Sequence, residues 1–213
     1  MHLTWQRMNE LFGQLTNILP FDFEECCTYL SGLSDEDKAY IYGIVGGTPQ
    51  YLLQMSDKLS VEDNIKNTYL NPTSFLYEEP LNLLKQEVRE PAIYNAIITA
   101  VATGHSRMSE ISTKVGKSTT VCSGYLKNLI DLGIIRKETP YGEKVSKKSI
   151  YSIEDNMFYF WYRFVLDNAS VIARGAVDIV YKRIEAQLND YMGRVFEEIC
   201  TQYLWKLLIE EKM

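Results

Sequence analysis

The sequence predicts a mainly α-helical protein: a helical unit first, then a winged helix-turn-helix with a small β-wing, then C-terminal helices. Three observations carry that prediction. Apolar residues recur at helical spacing through most of the chain, with Ser, Asp, Gly and Pro at the ends of the periodic segments. Residues 107–133 hold two such segments separated by Gly116-Lys117, and two short polar-tipped runs follow at 134–139 and 149–153. The run 156–166 is apolar on all sides except at Arg163, the pattern of a helix buried between other elements.

In chain order, Trp5, Met8, Leu11, Phe12 and Leu15 fit a short amphipathic helix, and Thr16-Asn17-Ile18-Leu19 reads as extended before Pro20. A lone strand cannot satisfy its own backbone groups, so this run needs a sheet that the rest of the sequence does not supply. Asp22 is placed to cap a helix over 24–30. Asp35-Glu36-Asp37 opens the next helix, where acidic groups complement the helix dipole, and Ala39, Tyr40, Ile44 and Val45 carry its apolar face. Gly46-Gly47 ends it, and Pro49 starts a helix with Tyr51, Leu52 and Met55 facing inward. Ser60-Val61-Glu62-Asp63 caps a helix that runs to about residue 70, and Asn71-Pro72 breaks it. Residues 75–88 read as one or two helices interrupted at Pro80.

Glu90-Pro91 begins the helix that packs behind the next two, through Ile93, Tyr94, Ile97, Ile98 and Val101. Ser118 is a good N-cap, because its hydroxyl can accept from a free amide of the first turn. Val121, Cys122, Tyr125, Leu126, Leu129 and Ile130 then form one apolar face, and Gly133 stops the helix in the left-handed conformation. Thr119, Thr120, Ser123 and Lys127 point away from that face, as the side chains of a recognition helix must to meet a major groove. Beyond the wing, residues 176–188 and 190–211 read as two helices. The second has Tyr191, Val195, Phe196, Ile199, Cys200, Tyr203, Leu204 and Leu207 on its apolar face.

Charge singles out the same region. Residues 107–150 hold nine Lys or Arg and four Asp or Glu, a net +5; the whole chain is −6, so the remainder carries −11. A basic island in an acidic chain suits a local contact with phosphate. Lys117 precedes the recognition helix, Arg136 and Lys137 lie on the first wing strand, and Lys144, Lys147 and Lys148 lie near the wing tip. With Thr119, Thr120, Ser123 and Lys127 they form the candidate duplex-DNA surface. Apart from Asn128, at the border of the apolar stripe, the helix lacks a side chain suited to bidentate base reading, so backbone contact with weak sequence preference is expected. Winged helices also dock proteins, and that reading stays open.

The remaining chemistry is sparse. Cys26, Cys27, Cys122 and Cys200 have neither the spacing of a disulfide framework nor that of a metal site, and reduced thiols in a cytoplasmic setting are expected. His2 and His105 have no nucleophile or ligand nearby in sequence. No stretch is long and apolar enough to span a bilayer, and no membrane partner is expected.

Several stretches resemble one family. Residues 19–25 (Leu19-Pro20-Phe21-Asp22-Phe23-Glu24-Glu25), 42–52 around Gly46-Gly47-Thr48-Pro49, and 71–80 from Asn71-Pro72 to Glu79-Pro80 are similar to archaeal-type P-loop ATPases of the STAND/AAA-like group. Residues 155–165, and Gly193-Arg194-Val195-Phe196-Glu197-Glu198, look like the domain of unknown function that follows in those proteins. The resemblance implies a helical lid at 21–89, a winged helix at 90–154, and at 155–213 the first helices of a domain resembling PD-(D/E)xK nucleases. Residues 1–20 are then a remnant of the NTPase domain or a disordered segment. Their unpaired strand is expected to invite pairing with another copy, which leaves a homo-oligomer open.

The chain holds no G-x-x-x-x-G-K-[ST] loop to cradle phosphates and no acidic strand end for magnesium. ATP and Mg are therefore expected only for a full-length parent, and no cofactor, metal or catalytic residue is assigned here. Gln50 stands near the lid position where related ATPases often carry a sensor arginine, and Glu197 matches the glutamate of the G-x-x-F-E signature. The chain is thus expected to be a non-catalytic C-terminal fragment of such an ATPase, whose partners are duplex DNA and the missing NTPase domain or another protein. A freestanding winged-helix transcription regulator is the alternative.

Overall fold

A computed structural model of the protein describes residues 20–139 and 149–210. The expectations for residues 1–19, including the extended run at Thr16-Asn17-Ile18-Leu19, lie outside the described residues. So do those for the wing tip with Lys144, Lys147 and Lys148.

The protein is mainly helical. Helices α1 (Phe23–Tyr29), α2 (Asp35–Val45), α3 (Pro49–Leu52), α4 (Val61–Thr68) and α5 (Phe75–Glu87) come first. Then follow α6 (Pro91–Ala102), α7 (Met108–Val115) and α8 (Thr119–Asp131), and an antiparallel pair, β1 (Ile135–Glu138) with β2 (Ile150–Ile153). The chain closes with α9 (Asn156–Phe160), a wider π-type turn at Trp161–Val165, a short 3-10 turn at Leu166–Asn168, α10 (Ala169–Ile172) and the long α11 (Val177–Ile209).

Local chemistry sets most helix starts. Asp22 accepts from the Glu25 amide at 2.8 Å while the Glu25 carboxylate takes the Asp22 amide at 3.0 Å, so the first turn of α1 is closed reciprocally. Ser34 and Ser60 cap α2 and α4 through the amides of Asp37 and Asp63, at 3.1 and 3.0 Å. Each such cap contributes about 1 kcal/mol. At the corner between α2 and α3, Gly47 is required by contact: a Cβ there would stand 1.8 Å from the Phe21 carbonyl oxygen. The Phe21 amide donates to the Gly47 carbonyl at 2.9 Å, closing the corner.

The core is continuous from the N-terminal helices into the C-terminal ones. Carbonyls in the last turn of α2 also take donors from elsewhere in the fold. Tyr191 donates to the Gly43 carbonyl at 2.5 Å, Tyr69 to Ile44 at 2.8 Å, and the Asn156 amide to Tyr42 at 3.4 Å. Burial raises the Tyr69 and Tyr191 phenols well above their ordinary range, so both hydroxyls stay protonated as donors. Around them pack Phe160, Phe164 and Tyr159, with Phe160 4.8 Å from Tyr69 and Tyr159 stacked 4.8 Å from Tyr191, centroid to centroid.

Four expectations are corrected. Residues 75–88 are not interrupted at Pro80: α5 runs through it, because buried Leu76 and Leu84, one turn to either side, pin both turns to the same core. The two helices expected at 176–188 and 190–211 are the single helix α11. Tyr181, Ile184, Leu188, Tyr191 and Val195 keep their 3-4 phase across Asn189-Asp190, so nothing there ends the helix. The run 156–166 is buried as expected but is not one regular helix. The Leu166 amide reaches back to the Trp161 carbonyl, and this wider turn buries Trp161, Tyr162, Phe164 and Val165 together. Trp161 donates to the Tyr77 carbonyl at 2.8 Å and Tyr162 to Asn95 at 2.5 Å, which holds both large polar aromatics inside. Finally, the apolar face assigned to the end of α11 is largely uncovered: Phe196, Tyr203 and Leu204 are exposed.

Candidate nucleic-acid interface

The candidate surface is built on α8. Gly116 ends α7 at φ 70°, where a side chain would be strained, and turns the chain into Lys117-Ser118. Glu110 accepts from the Ser106 and Arg107 amides at 3.0 and 3.1 Å and fixes the start of α7. Ser118 accepts from the Val121 amide at 3.3 Å and caps α8. Cys122, Leu126 and Leu129 are buried against α6 and α7, with Tyr125 and Ile130 half-buried beside them.

The rest of α8 is open. Thr119, Thr120, Ser123 and Lys127 are exposed on this one helix, and Lys117 is exposed just ahead of its cap. Among the described residues neither lysine has an ion pair, so both ammonium groups are free to meet an anion. Val121 departs from its sequence assignment: it was placed on the apolar face and is 42% exposed. Val121 instead lines a surface cleft shared with Glu90 and Tyr94.

The hairpin stands next to α8. Ile135 pairs with Ile153 and Arg136 with Ser152, and buried Ile135, Tyr151 and Ile153 turn toward the helices. The Tyr151 amide donates to the Ser106 carbonyl at 2.7 Å, tying the strand to the start of α7. Lys137 is exposed, its ammonium 5.9 Å from the Tyr151 ring. Arg136 is engaged differently. Its Nε donates to the Ser152 hydroxyl at 3.0 Å and lies 2.8 Å from Glu138 and 3.7 Å from Glu154. It is bound up in a carboxylate network, whereas Lys117, Lys127 and Lys137 project into solvent.

Sequence reasoning missed that network's extension into α11. The Arg194 guanidinium donates to the Ile153 carbonyl and covers the Tyr159 ring at 4.2 Å. Burial pushes the Glu198 carboxyl upward, with Arg136 and Arg194 opposing and Glu154 adding to the rise. Burial likewise lifts Asp155, the cap of α9, to about 6. The hairpin is therefore fastened to the long helix through its charged residues. Nothing at 194 or 198 alone signalled this, since the partners are about 40 to 60 positions away in sequence.

On the other flank of α8, a surface cleft runs to the α5–α6 junction, where Tyr125 donates to Glu90 and Asn128 to the Tyr94 hydroxyl at 2.7 Å. Glu87, Glu90 and Asp131 line this cleft together with Arg89, Val121 and Lys127, while Lys117, Thr119, Thr120 and Ser123 lie outside it. Among the described residues no group of three or more His, Cys, Asp or Glu side chains is arranged to hold a metal ion, and no helix is long and apolar enough to cross a membrane. The four cysteines are free thiols.

Comparison with known proteins adds the following. Residues 161–213 match the DUF234 family, described as archaeal and bacterial proteins of unknown function. The chain is 35% identical over 201 residues to an uncharacterized protein of Methanocaldococcus jannaschii, MJECL04, an alignment covering 92% of this chain and 45% of that protein. The chain thus spans a little under half the length of the curated relative it matches. No solved structure matches it.

Proposed function

We propose that this chain is a non-catalytic region of a STAND/AAA-type ATPase and that residues 90–154 form a winged helix contacting duplex DNA through its backbone. One observation carries the reading: α8 holds its apolar stripe against α6 and α7 and leaves Thr119, Thr120, Ser123 and Lys127 exposed, with Lys117 free at its start. Hydroxyls and unpaired ammonium groups on an exposed helix face suit phosphate and groove-edge contact. Lys137 extends the cationic surface onto β1, and Lys144, Lys147 and Lys148 continue it in sequence. Arg136 serves to anchor the hairpin, through Glu138 and Glu154, and not to hold DNA. The sequence carries no phosphate-binding loop, so nucleotide and magnesium belong to the NTPase domain of a longer parent.

The C-terminal helices fit the start of a nuclease-like domain. The exposed apolar side chains at the end of α11 support that assignment, because such a domain would bury them against its other elements. A protein-docking role for α8 is the second reading; exposed Val121 and the acidic flank at Glu87 and Glu90 favour it.

Fluorescence anisotropy on short duplex DNA over a salt series separates the two. Backbone binding falls steeply with salt, at a log–log slope of roughly −4 for about four phosphates neutralised. Replacing Lys117 and Lys127 together by alanine flattens the slope by about two units without unfolding the protein, since both are exposed. No binding at low salt, or an unchanged slope in the double variant, removes DNA contact from α8 and leaves protein docking.

A further inference from the structure

Glu198 stands where the hairpin meets α11, and its Oε2 is buried without a hydrogen-bond partner among the described residues. An ionised carboxylate can only accept, so a buried oxygen that meets no donor favours the protonated acid. The charged and titratable groups that face it come from several elements. β1 supplies Arg136, the turn after β2 supplies Glu154, and Asp155 caps α9. α2 supplies Tyr42, and α11 itself supplies Tyr191 and Arg194. Both cations are already engaged. Arg136 lies against Glu138 and Glu154, and Arg194 donates to the Ile153 carbonyl and covers the Tyr159 ring.

The charges do not balance when every group is ionised. Glu138, Glu154, Asp155 and Glu198 set four negative charges against the two positive ones of Arg136 and Arg194, a net −2. Two protons bring the cluster to zero. Glu138 and Glu154 are paired with Arg136, while burial favours the neutral form of Asp155 and Glu198. The same cluster fastens the hairpin: Arg194 reaches from α11 to the last residue of β2, and the Glu154 amide donates to the Ile134 carbonyl at 2.9 Å.

We propose that this junction is a proton-controlled latch: with protons on Glu198 and Asp155 the hairpin is held to α11, and with both carboxyls ionised their repulsion with Glu154 loosens β2 from the long helix. The closed junction binds these protons more tightly than the open one. Closure is therefore favoured at low pH and weakens as pH rises, through about 6 at Asp155. The latch is independent of any contact with DNA.

Hydrogen exchange tests it, read as protection factors, which divide out the intrinsic pH dependence of exchange. In the wild type, protection of the amides of residues 150–154 falls at least about ten-fold between about pH 5 and pH 8, while that of α4 does not follow. Glu198→Gln, which carries no charge at either pH, shows a smaller fall. Glu198→Gln with Asp155→Asn holds protection constant within about two-fold. Constant wild-type protection, or a fall in Glu198→Gln as large as in the wild type, overturns the latch. So does a matching fall in α4, which would mean that the whole fold opens. The wild-type profile and its α4 reference decide even where the double variant does not fold.

Discussion

The two ends of α11 carry the same kind of residues and meet opposite fates. In its first part Val180, Tyr181, Ile184, Leu188, Tyr191 and Val195 are buried, against α2, α4 and the aromatic run that follows β2. In its last part Phe196 is 63% exposed, Trp205 60% and Ile209 78%. Propensity and periodicity do not separate the two parts; the presence of neighbours does. An apolar face stabilises a fold only where another element removes it from water. Even so, the uncovered end is not wholly detached. The Phe23 amide donates to the Gln202 side chain at 3.0 Å, Gln202 in turn donates to the Tyr42 hydroxyl at 2.7 Å, and Lys206 pairs with Glu24. Polar contacts hold this end in register with α1 while its large side chains stay in solvent.

The sharpest way to break the comparison is to truncate one residue from each part. Ile184→Ala leaves a cavity among fully packed neighbours and costs about 2–5 kcal/mol of stability. Leu204→Ala, at a position 51% exposed, changes stability by no more than about 0.5 kcal/mol. Urea unfolding of both variants reads the difference. Comparable losses would mean that the end of α11 is buried in solution, and the contrast drawn here would collapse.

A pH series tests the border between the two parts, where Glu198 lies near the cap of α9. Burial raises Asp155 to about 6, the Phe158 and Met157 amides oppose, and Glu198 and Glu154 add to the rise. The unfolded chain releases that proton near pH 4, at about 3.9. The folded state therefore holds the proton more tightly, and this stabilisation is fully present below about pH 4 and lost as pH rises through about 6. Asp155→Asn keeps a capping oxygen and removes the titration. Relative to the variant, the wild type should lose up to about 3 kcal/mol between about pH 4 and pH 7. Denaturation at both pH values measures this, and a constant difference between the two proteins would show that Asp155 is not held in that environment.

Tyr191→Phe sharpens the comparison at smaller scale. The ring still fills the core, but the Gly43 carbonyl loses its 2.5 Å donor. The expected cost is about 1–3 kcal/mol, the usual range for orphaning a buried acceptor. Tyr203→Phe, in the exposed part, should cost nothing measurable by the same thermal or urea melt.

The sequence by itself determined the helix starts, the turn at Gly116, the end of α8 at Gly133 and the class of the fold. Caps and left-handed glycines act within four residues, and the residues that do the work are neighbours in the chain: Asp22 with Glu25, Ser34 with Asp37, Ser118 with Val121. It also placed Thr119, Thr120, Ser123 and Lys127 on the outer side of α8, because helical geometry relates them directly. Tertiary structure alone decided what each apolar residue meets. Val121 and Phe196 fit the periodic stripe and are exposed, because among the described residues no element covers them. Pro80 sits inside an unbroken helix because Leu76 and Leu84 share one core. The partners of Arg136, a candidate DNA contact in the sequence, are decided by the hairpin and the turn after it, which bring Ser152 and Glu154 beside it. Each of these outcomes depends on residues distant in sequence, and periodicity along one helix carries no information about what will be packed against it.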